Sequence, residues 1–460
     1  MTILLLSMLL FAPQDKPAGI PLAKLDRKEP IDFAKDVAPI LANKCIVCHA
    51  GKNLEGDYDM STPAGLLKGG KRGAKVLVPG KAEASFFWMS SAHRVKPIMP
   101  PKSESNPLTS LEVTILKRWI DEGAKVAATE VVRTKPKVVL DLPSALVTPI
   151  RAAAISPDKA TVYVGRANQL LVFDVKKAEF VKAYTDPDLV TPSGKPAKAA
   201  HLSLIETMAL SPDGKRLAVG SFQEVTIWDT ETGKIAIRIG NLADRVSALA
   251  YAPDGKLLAV GGGAATEDGE LKLFDPASGK LVVEIKPSHS DTVFGVAFSP
   301  DGKLLAGAGA DKFVKVWDVP SGKFAKSFEG HTAHVLDVAW SPDGKRILSA
   351  GADNFVKVWD YEKGEKIRDL QGFKNQVTRL VAVPKQADAI AVGGDGIAKT
   401  ITADGGQGRS YTEAKDFLYV AAVSADGTLL ATGGEEGILR LYERASGKLL
   451  KAATVASGGW

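Results

Sequence analysis

A turn signal of the form Ser-Pro-Asp-Gly returns through most of this chain and sets what those residues can fold into. It reads Ser156-Pro-Asp-Lys, Ser211-Pro-Asp-Gly, Ala252-Pro-Asp-Gly, Ser299-Pro-Asp-Gly and Ser341-Pro-Asp-Gly, with degenerate copies at Val383-Pro-Lys and Ser424-Ala-Asp-Gly. The first interval is 55 residues and the later ones are 41 to 47. A second signal keeps step with it: Phe173-Asp174, Trp228-Asp229, Phe274-Asp275, Trp317-Asp318, Trp359-Asp360 and Tyr442-Glu443. Short alternating apolar segments such as Val314, Val316 and Val356, Val358 lie between. Alternation of this kind marks half-buried strands.

A period of about 40–45 residues closing on Trp-Asp resembles the WD40 repeat. Seven copies imply a seven-bladed β-propeller, in which four-stranded blades are arranged radially and their edges protected. The outer strand of the last blade has two candidates, Lys137 to Leu142 and Lys448 to Ala453. Blade one carries an insertion, Thr185 to Ala200, expected to be an exposed loop; blade three carries a smaller one, Gly261 to Gly269. The blade holding Thr400-Ile401-Thr402 lacks the Trp-Asp ending, so the repeat is weakest there. His201, His289 and His331 each lie four residues before a repeat-aligned apolar residue, and only His334 is off-pattern. By the resemblance, His331, Ser349, Asp353 and Trp359 stand where that family has a buried hydrogen-bonded tetrad. This structural use argues against a His-ligated catalytic metal in the propeller.

The only two cysteines of the 460 residues sit in Cys45-Ile-Val-Cys48-His49. This C-x-x-C-H spacing reads as c-type haem attachment. Two thiols can add to the haem vinyl groups and the adjacent imidazole can ligate iron. A structural zinc site needs four ligands, and no second Cys/His pair lies nearby. A thioredoxin-like pair expects a βαβ context, whereas these flanks look helical. Ile31, Phe33, Val37, Ile40 and Leu41 fall near helical spacing before the box, with Pro39 expected to kink or restart the helix. Thr109-Ser110-Leu111-Glu112 is a capping box. It opens a helix with the stripe Leu111, Ile115, Leu116, Trp119 and Ile120, ended by Gly123.

Val37 to His49, Gly69-Gly70, Val78-Pro79-Gly80, Met99-Pro100-Pro101-Lys102 and Trp119 to Ala124 together resemble the planctomycete-type cytochrome c domain, in family order. The resemblance covers roughly residues 31 to 125. It implies one covalent haem c on Cys45 and Cys48, with His49 as proximal and Met99 as distal iron ligand. The residues agree: Met99 stands in a loop flanked by Pro97, Pro100 and Pro101 that can hold a side chain over the haem. His93, Met89 and Met60 compete for that role. A Met/His pair raises the reduction potential relative to two histidines. Gly69-Gly70-Lys71-Arg72-Gly73 lacks the P-loop spacing and reads as a loop passing close to the haem.

Net charge is +6, and basic residues concentrate between Lys44 and Lys102, leaving the remainder near neutral. That argues against a nucleic-acid surface on the larger part. The basic stretch suits either an acidic redox partner or a solvated face. The apolar run Ile3 to Ala12 has the length of a signal-peptide h-region and is too short to span a bilayer; an uncleaved anchor is its other reading. Neither a Gly-x-Ser-x-Gly elbow nor an H-E-x-x-H box is present.

The sequence thus predicts a multidomain chain. The apolar segment 1–12 and a linker 13–30 precede a small all-α cytochrome c domain, 31–125. A second linker, 126–145, leads to an all-β seven-bladed propeller, 146–460. The expected role is that of an exported, periplasmic or cell-envelope monohaem electron carrier, with a propeller face for a protein ligand and no multi-span membrane segment. A haem-dependent redox enzyme and a haem-based sensor or scaffold are the alternatives.

Overall fold

The computed structural model describes residues 19–27, 29–49, 55–60, 62–101, 108–126, 137–138, 149–240, 242, 244–264, 269–384, 386–402, 404 and 406–454. The apolar segment 1–12, most of the linker 126–145, Lys102 and part of the blade-three insertion lie outside them. The chain divides into two compact units, Met1–Pro136 and Lys137–Trp460.

In the first unit a π turn, Phe33–Val37, runs into helix α1, Ala38–Lys44. Pro39 sits in the opening turn of α1, where no intrahelical N–H bond is required of it. Helix α2, Ile46–His49, follows after Cys45. Helices α3, Pro63–Lys68, and α4, Phe86–Ser91, are short, and α5, Ser110–Asp121, is the longest. The capping box forms: the Thr109 hydroxyl accepts from Glu112 N at 3.2 Å, and Glu112 Oε2 accepts from Thr109 N at 2.7 Å.

The buried face of α5 differs from the expected stripe. Val113, Leu116, Trp119 and Ile120 are fully buried, whereas Leu111 is 47% exposed. Leu111 and Val113 extend the i, i+3, i+4 pattern about equally well in sequence, and only the packing decides between them. This face packs on the first helical segment, with the Phe33 and Trp119 rings 5.7 Å apart. Glu122 locks the two together by accepting from Ile31 N at 2.7 Å and Arg118 Nε at 2.7 Å.

The second unit is a seven-bladed β-propeller of four-stranded antiparallel sheets. The blades occupy 150–184, 207–239, 245–284, 293–329, 335–370, 377–411 and 418–454. Each is a single continuous piece of chain, because the turn signals fold it back at once. In blade five the Ser341 hydroxyl accepts from Arg346 N at 2.9 Å and bonds Asp343, whose Oδ1 accepts from Lys345 N at 3.0 Å. The same pattern recurs at Ser156, Ser211, Ser299 and Ser424.

Of the two candidates for the last outer strand, Leu449–Thr454 takes the place. Lys137–Val138 instead pairs in parallel with Leu189–Val190 of the blade-one insertion. That insertion is more than an exposed loop. Leu189, Ala197 and Ala199 form a small buried cluster, and buried Asp186 accepts from both terminal nitrogens of Arg238 in blade two. Blade six forms despite its missing Trp-Asp. Ile401 and Thr402 take the strand positions that Trp359 and Asp360 hold in blade five.

The ring closes without a shared strand, by packing and a surface ion pair. Ile150, Val162, Leu171 and Phe173 of blade one share a core with Val420, Leu429, Leu439 and Leu441 of blade seven. Lys159 reaches across the junction to Asp426 at 2.7 Å.

The repeat histidines are buried, and their hydrogen bonds follow the expected pattern with instructive departures. In blade five His331 Nδ1 meets Asp353 at 2.9 Å, Nε2 meets Ser349 Oγ at 2.8 Å, and Trp359 Nε1 donates to the same oxygen at 2.8 Å. In blade two the hydroxyl comes from a different strand: Thr226 Oγ1 lies 2.7 Å from His201 Nε2 and accepts from Trp228 Nε1 at 2.8 Å. In blade four His289 Nδ1 keeps Asp311 at 2.8 Å, but Gly307 stands at the position of Ser349, so no hydroxyl bridges His289 and Trp317. Burial holds the His289 and His331 imidazoles below their ordinary value. His334 is exposed and lies 6.0 Å from the Phe294 ring.

Candidate functional site

The first unit encloses a cavity of about 550 Å³. That volume falls within the range of small-molecule and cofactor sites. Cys45, His49 and Met99 all line it. Cys45 is buried between α1 and α2. The backbone of Cys48 lies in α2, while its side chain is outside the described residues. The remainder of the wall is mainly apolar, with Met60, Val76, Phe86, Phe87 and Leu108 among its residues.

His49 is positioned through its main chain and its ring. Its N–H donates to Cys45 O at 3.0 Å, and its carbonyl accepts from Met60 N at 2.7 Å. The Tyr58 ring meets the imidazole edge-on, with centroids 5.8 Å apart. Tyr58 is itself fixed by donating to Leu66 O at 2.9 Å, and burial pushes its phenol above the ordinary range.

Met99 arrives from a different element. Its N–H donates to Ser90 O at 3.1 Å, at the C-terminal end of α4. The buried Ser90 hydroxyl donates to Pro97 O in the same loop. Ser90 therefore fastens the Met99 loop twice, a role that no motif in the sequence announced.

The competitors separate on position. Met89 lies against a different recess, beside Arg72, Lys75 and Phe86, and neither it nor His93 is among the described residues lining the large cavity. Met60 does line it, but its main chain is bonded to that of His49. Met99 is held instead from α4, through Ser90 O.

The glycine run is a tight 3-10 turn, Gly70–Lys75, folded against itself. Gly69 lines the cavity with φ +83°, and a Cβ there would fall 2.1 Å from Gly73 O. Only glycine permits that turn. It delivers Lys71 and Arg72 to the cavity wall.

These residues fit a covalently held haem. A thiol and an imidazole from one C-x-x-C-H segment face an apolar cavity, and a thioether from a separately anchored loop faces it too. Of the described residues, no helix is long and apolar enough to cross a membrane.

Residues 45–103 match the family described as Planctomycete cytochrome C. Residues 235–275, 279–318 and 322–360 match the WD domain, G-beta repeat. Each of these three stretches begins with the outer strand of one blade and ends with the third strand of the next, so the sequence repeat and the blade are one strand out of phase. No curated protein matches the chain. The chain joins a domain similar to the planctomycete cytochromes c to a seven-bladed β-propeller built from WD-type repeats.

Proposed function

We propose that this protein is an exported, periplasmic or cell-envelope monohaem cytochrome c that transfers electrons, with its propeller serving as a platform for a protein ligand. The observation carrying this reading is the convergence of Cys45, His49 and Met99 on one apolar cavity. The sulfurs of Cys45 and Cys48 would hold haem c, with His49 and Met99 as the axial pair. When bound, the haem supplies reversible one-electron chemistry at its iron. The chain's own part is to fix the imidazole through Tyr58 and Met60 N, to present the thioether through Ser90, and to keep water from the ring with Val76, Phe87 and Leu108.

Met99→His tests the axial assignment. The midpoint potential is expected to fall, because an imidazole replaces the thioether that favours reduced iron. An unchanged potential by potentiometry would show that Met99 does not ligate.

The exposed cations Lys68, Lys75, Lys81, Arg94 and Lys96 suit an acidic redox partner. Long-range steering of this kind is screened by salt. The second-order rate of electron exchange with an anionic redox protein should therefore drop as ionic strength rises. A rate indifferent to salt would reduce these side chains to a solvated face.

A further inference from the structure

We infer that Lys71 and Arg72 form the carboxylate-binding edge of the cavity, where the propionate side chains of its cofactor rest; this deepens the haem reading above and depends on it. The wall carries three cations, Lys44, Lys71 and Arg72, and among the described residues of that wall there is no Asp or Glu. The ammonium of Lys71 and the guanidinium of Arg72, exposed at the edge of an apolar wall, can each pair with a carboxylate seated there. Haem has two carboxylates on one edge of an apolar ring, so a wall that is apolar over Val76, Phe86 and Phe87 and cationic at Lys71-Arg72 complements it.

The local geometry prepares both side chains for that task. The Arg72 guanidinium carbon lies 4.0 Å from the Phe86 ring centroid. Stacking uses the face of the guanidinium and spares its in-plane N–H fork, the part that pairs with carboxylates. Lys71 pairs with Asp57 at 3.5 Å, but both side chains are largely exposed. Such a pair holds weakly and can be exchanged for a better-placed anion. The glycine-dependent turn from Gly69 to Gly73 serves to bring these two cations, and no acid, to the cavity.

The test uses the full chain carrying its covalent haem. Midpoint potential is measured against pH for wild type, Lys71→Gln, Arg72→Gln and Arg72→Lys, with Lys35→Gln as an exposed control away from the cavity. Deprotonation of a propionate favours oxidised iron, so the potential steps downward as pH rises through that titration. Among the described residues, the other charged or titratable groups facing the cavity are Lys44, Cys45, which the haem would hold as a thioether, Tyr58 and His49, with Asp57 reaching it through Lys71 and Lys75 beside Arg72 in the adjoining recess. Of these, His49 would be engaged by iron.

In Arg72→Gln and Lys71→Gln the step should move up by about one pH unit, since a nearby opposite charge favours the ionised carboxyl. Arg72→Lys should hold most of the wild-type profile, and Lys35→Gln all of it. Haem present on every chain with superimposable profiles in both Gln variants would overturn the assignment. Should Arg72→Gln lose its haem, the exposed Lys71→Gln decides alone. Absence of haem from denatured wild-type chain would defeat the functional reading instead, so the two failures are told apart by one spectrum.

Discussion

Replacing both Cys45 and Cys48 with serine is expected to abolish covalent haem, leaving a chain that stains for no haem after denaturation. Attachment requires a sulfur nucleophile for each vinyl group, and a serine hydroxyl at neutral pH is far too weak a nucleophile to replace it. The chain has no other cysteine to substitute, since it contains two in all. Cys45 is well placed for the reaction: it is buried in the wall of the cavity and precedes the helix that carries His49. The single variants should each keep haem through one remaining thioether. The check is an absorption spectrum of the denatured chain after extraction with acidified organic solvent. Haem persisting on the double variant, or failing to appear on wild type expressed with export and maturation, would remove the cytochrome reading and return this unit to a thiol or metal module.

The second large effect lies in the propeller. His331→Ala is expected to destabilise it by about 3 kcal/mol, the scale for opening a buried polar network and leaving its members unpaired. Asp353 would keep only its bonds from Thr332 N at 3.0 Å and Phe355 N at 3.3 Å, and Ser349 would lose one of its two partners. Ser349→Ala should cost less, about 1–2 kcal/mol. It recreates in blade five the arrangement that blade four already tolerates, with Gly307 between His289 and Trp317. Gly307→Ser is the reciprocal change; the rings must retreat slightly, because an added Cβ would lie 2.9 Å from Trp317 and 3.0 Å from His289. Urea unfolding followed by far-ultraviolet circular dichroism gives the ranking. Equal losses for His331→Ala and Ser349→Ala would mean that the Asp353 side of the network contributes nothing.

The same histidines give the propeller an acid dependence. Their folded-state pKa values are depressed below the ordinary 6.5, burial being the larger cause. The unfolded chain therefore binds more protons below about pH 6.5. Stability contributed by these groups is present above that pH and is lost as pH falls below it.

The parts of this protein that sequence made legible are those where one local rule acts alone. Ser341-Pro-Asp-Gly fixes a turn by its own hydrogen bonds, and five such serine turns with two copies lacking the serine, at Ala252 and Val383, count seven blades. Thr109 and Glu112 satisfy each other within four residues, so the start of the last helix of the first unit was readable. Cys45 and His49 stand four residues apart in one segment, so their arrival at the same cavity wall follows from local chain geometry. What escaped depends on contacts between distant segments. Ser90 has no motif, and its importance comes from the loop that folds back on it. Thr226 supplies its hydroxyl from an unexpected strand because a side chain on either strand can reach His201. Asp186 lies in the insertion expected to be an exposed loop, and its burial depends on Arg238 of the next blade. The last outer strand was ambiguous because Lys137 to Leu142 and Lys448 to Ala453 are both short, largely apolar runs, and pairing partners cannot be read from composition.

Because no blade borrows a strand from elsewhere in the chain, the order in which the blades are threaded is separable from the ring they form. A gene for the second unit alone, rearranged to open between blades three and four with that unit's ends fused, would sever no sheet. The junction between blades one and seven would become an ordinary interior connection, and Lys159 with Asp426 would turn from a clasp across a gap into a contact between chain neighbours. The ring is thus a circle of self-contained units for which the site of covalent interruption is a matter of loop choice, and another module could be placed at any of several rim positions without redesigning a blade.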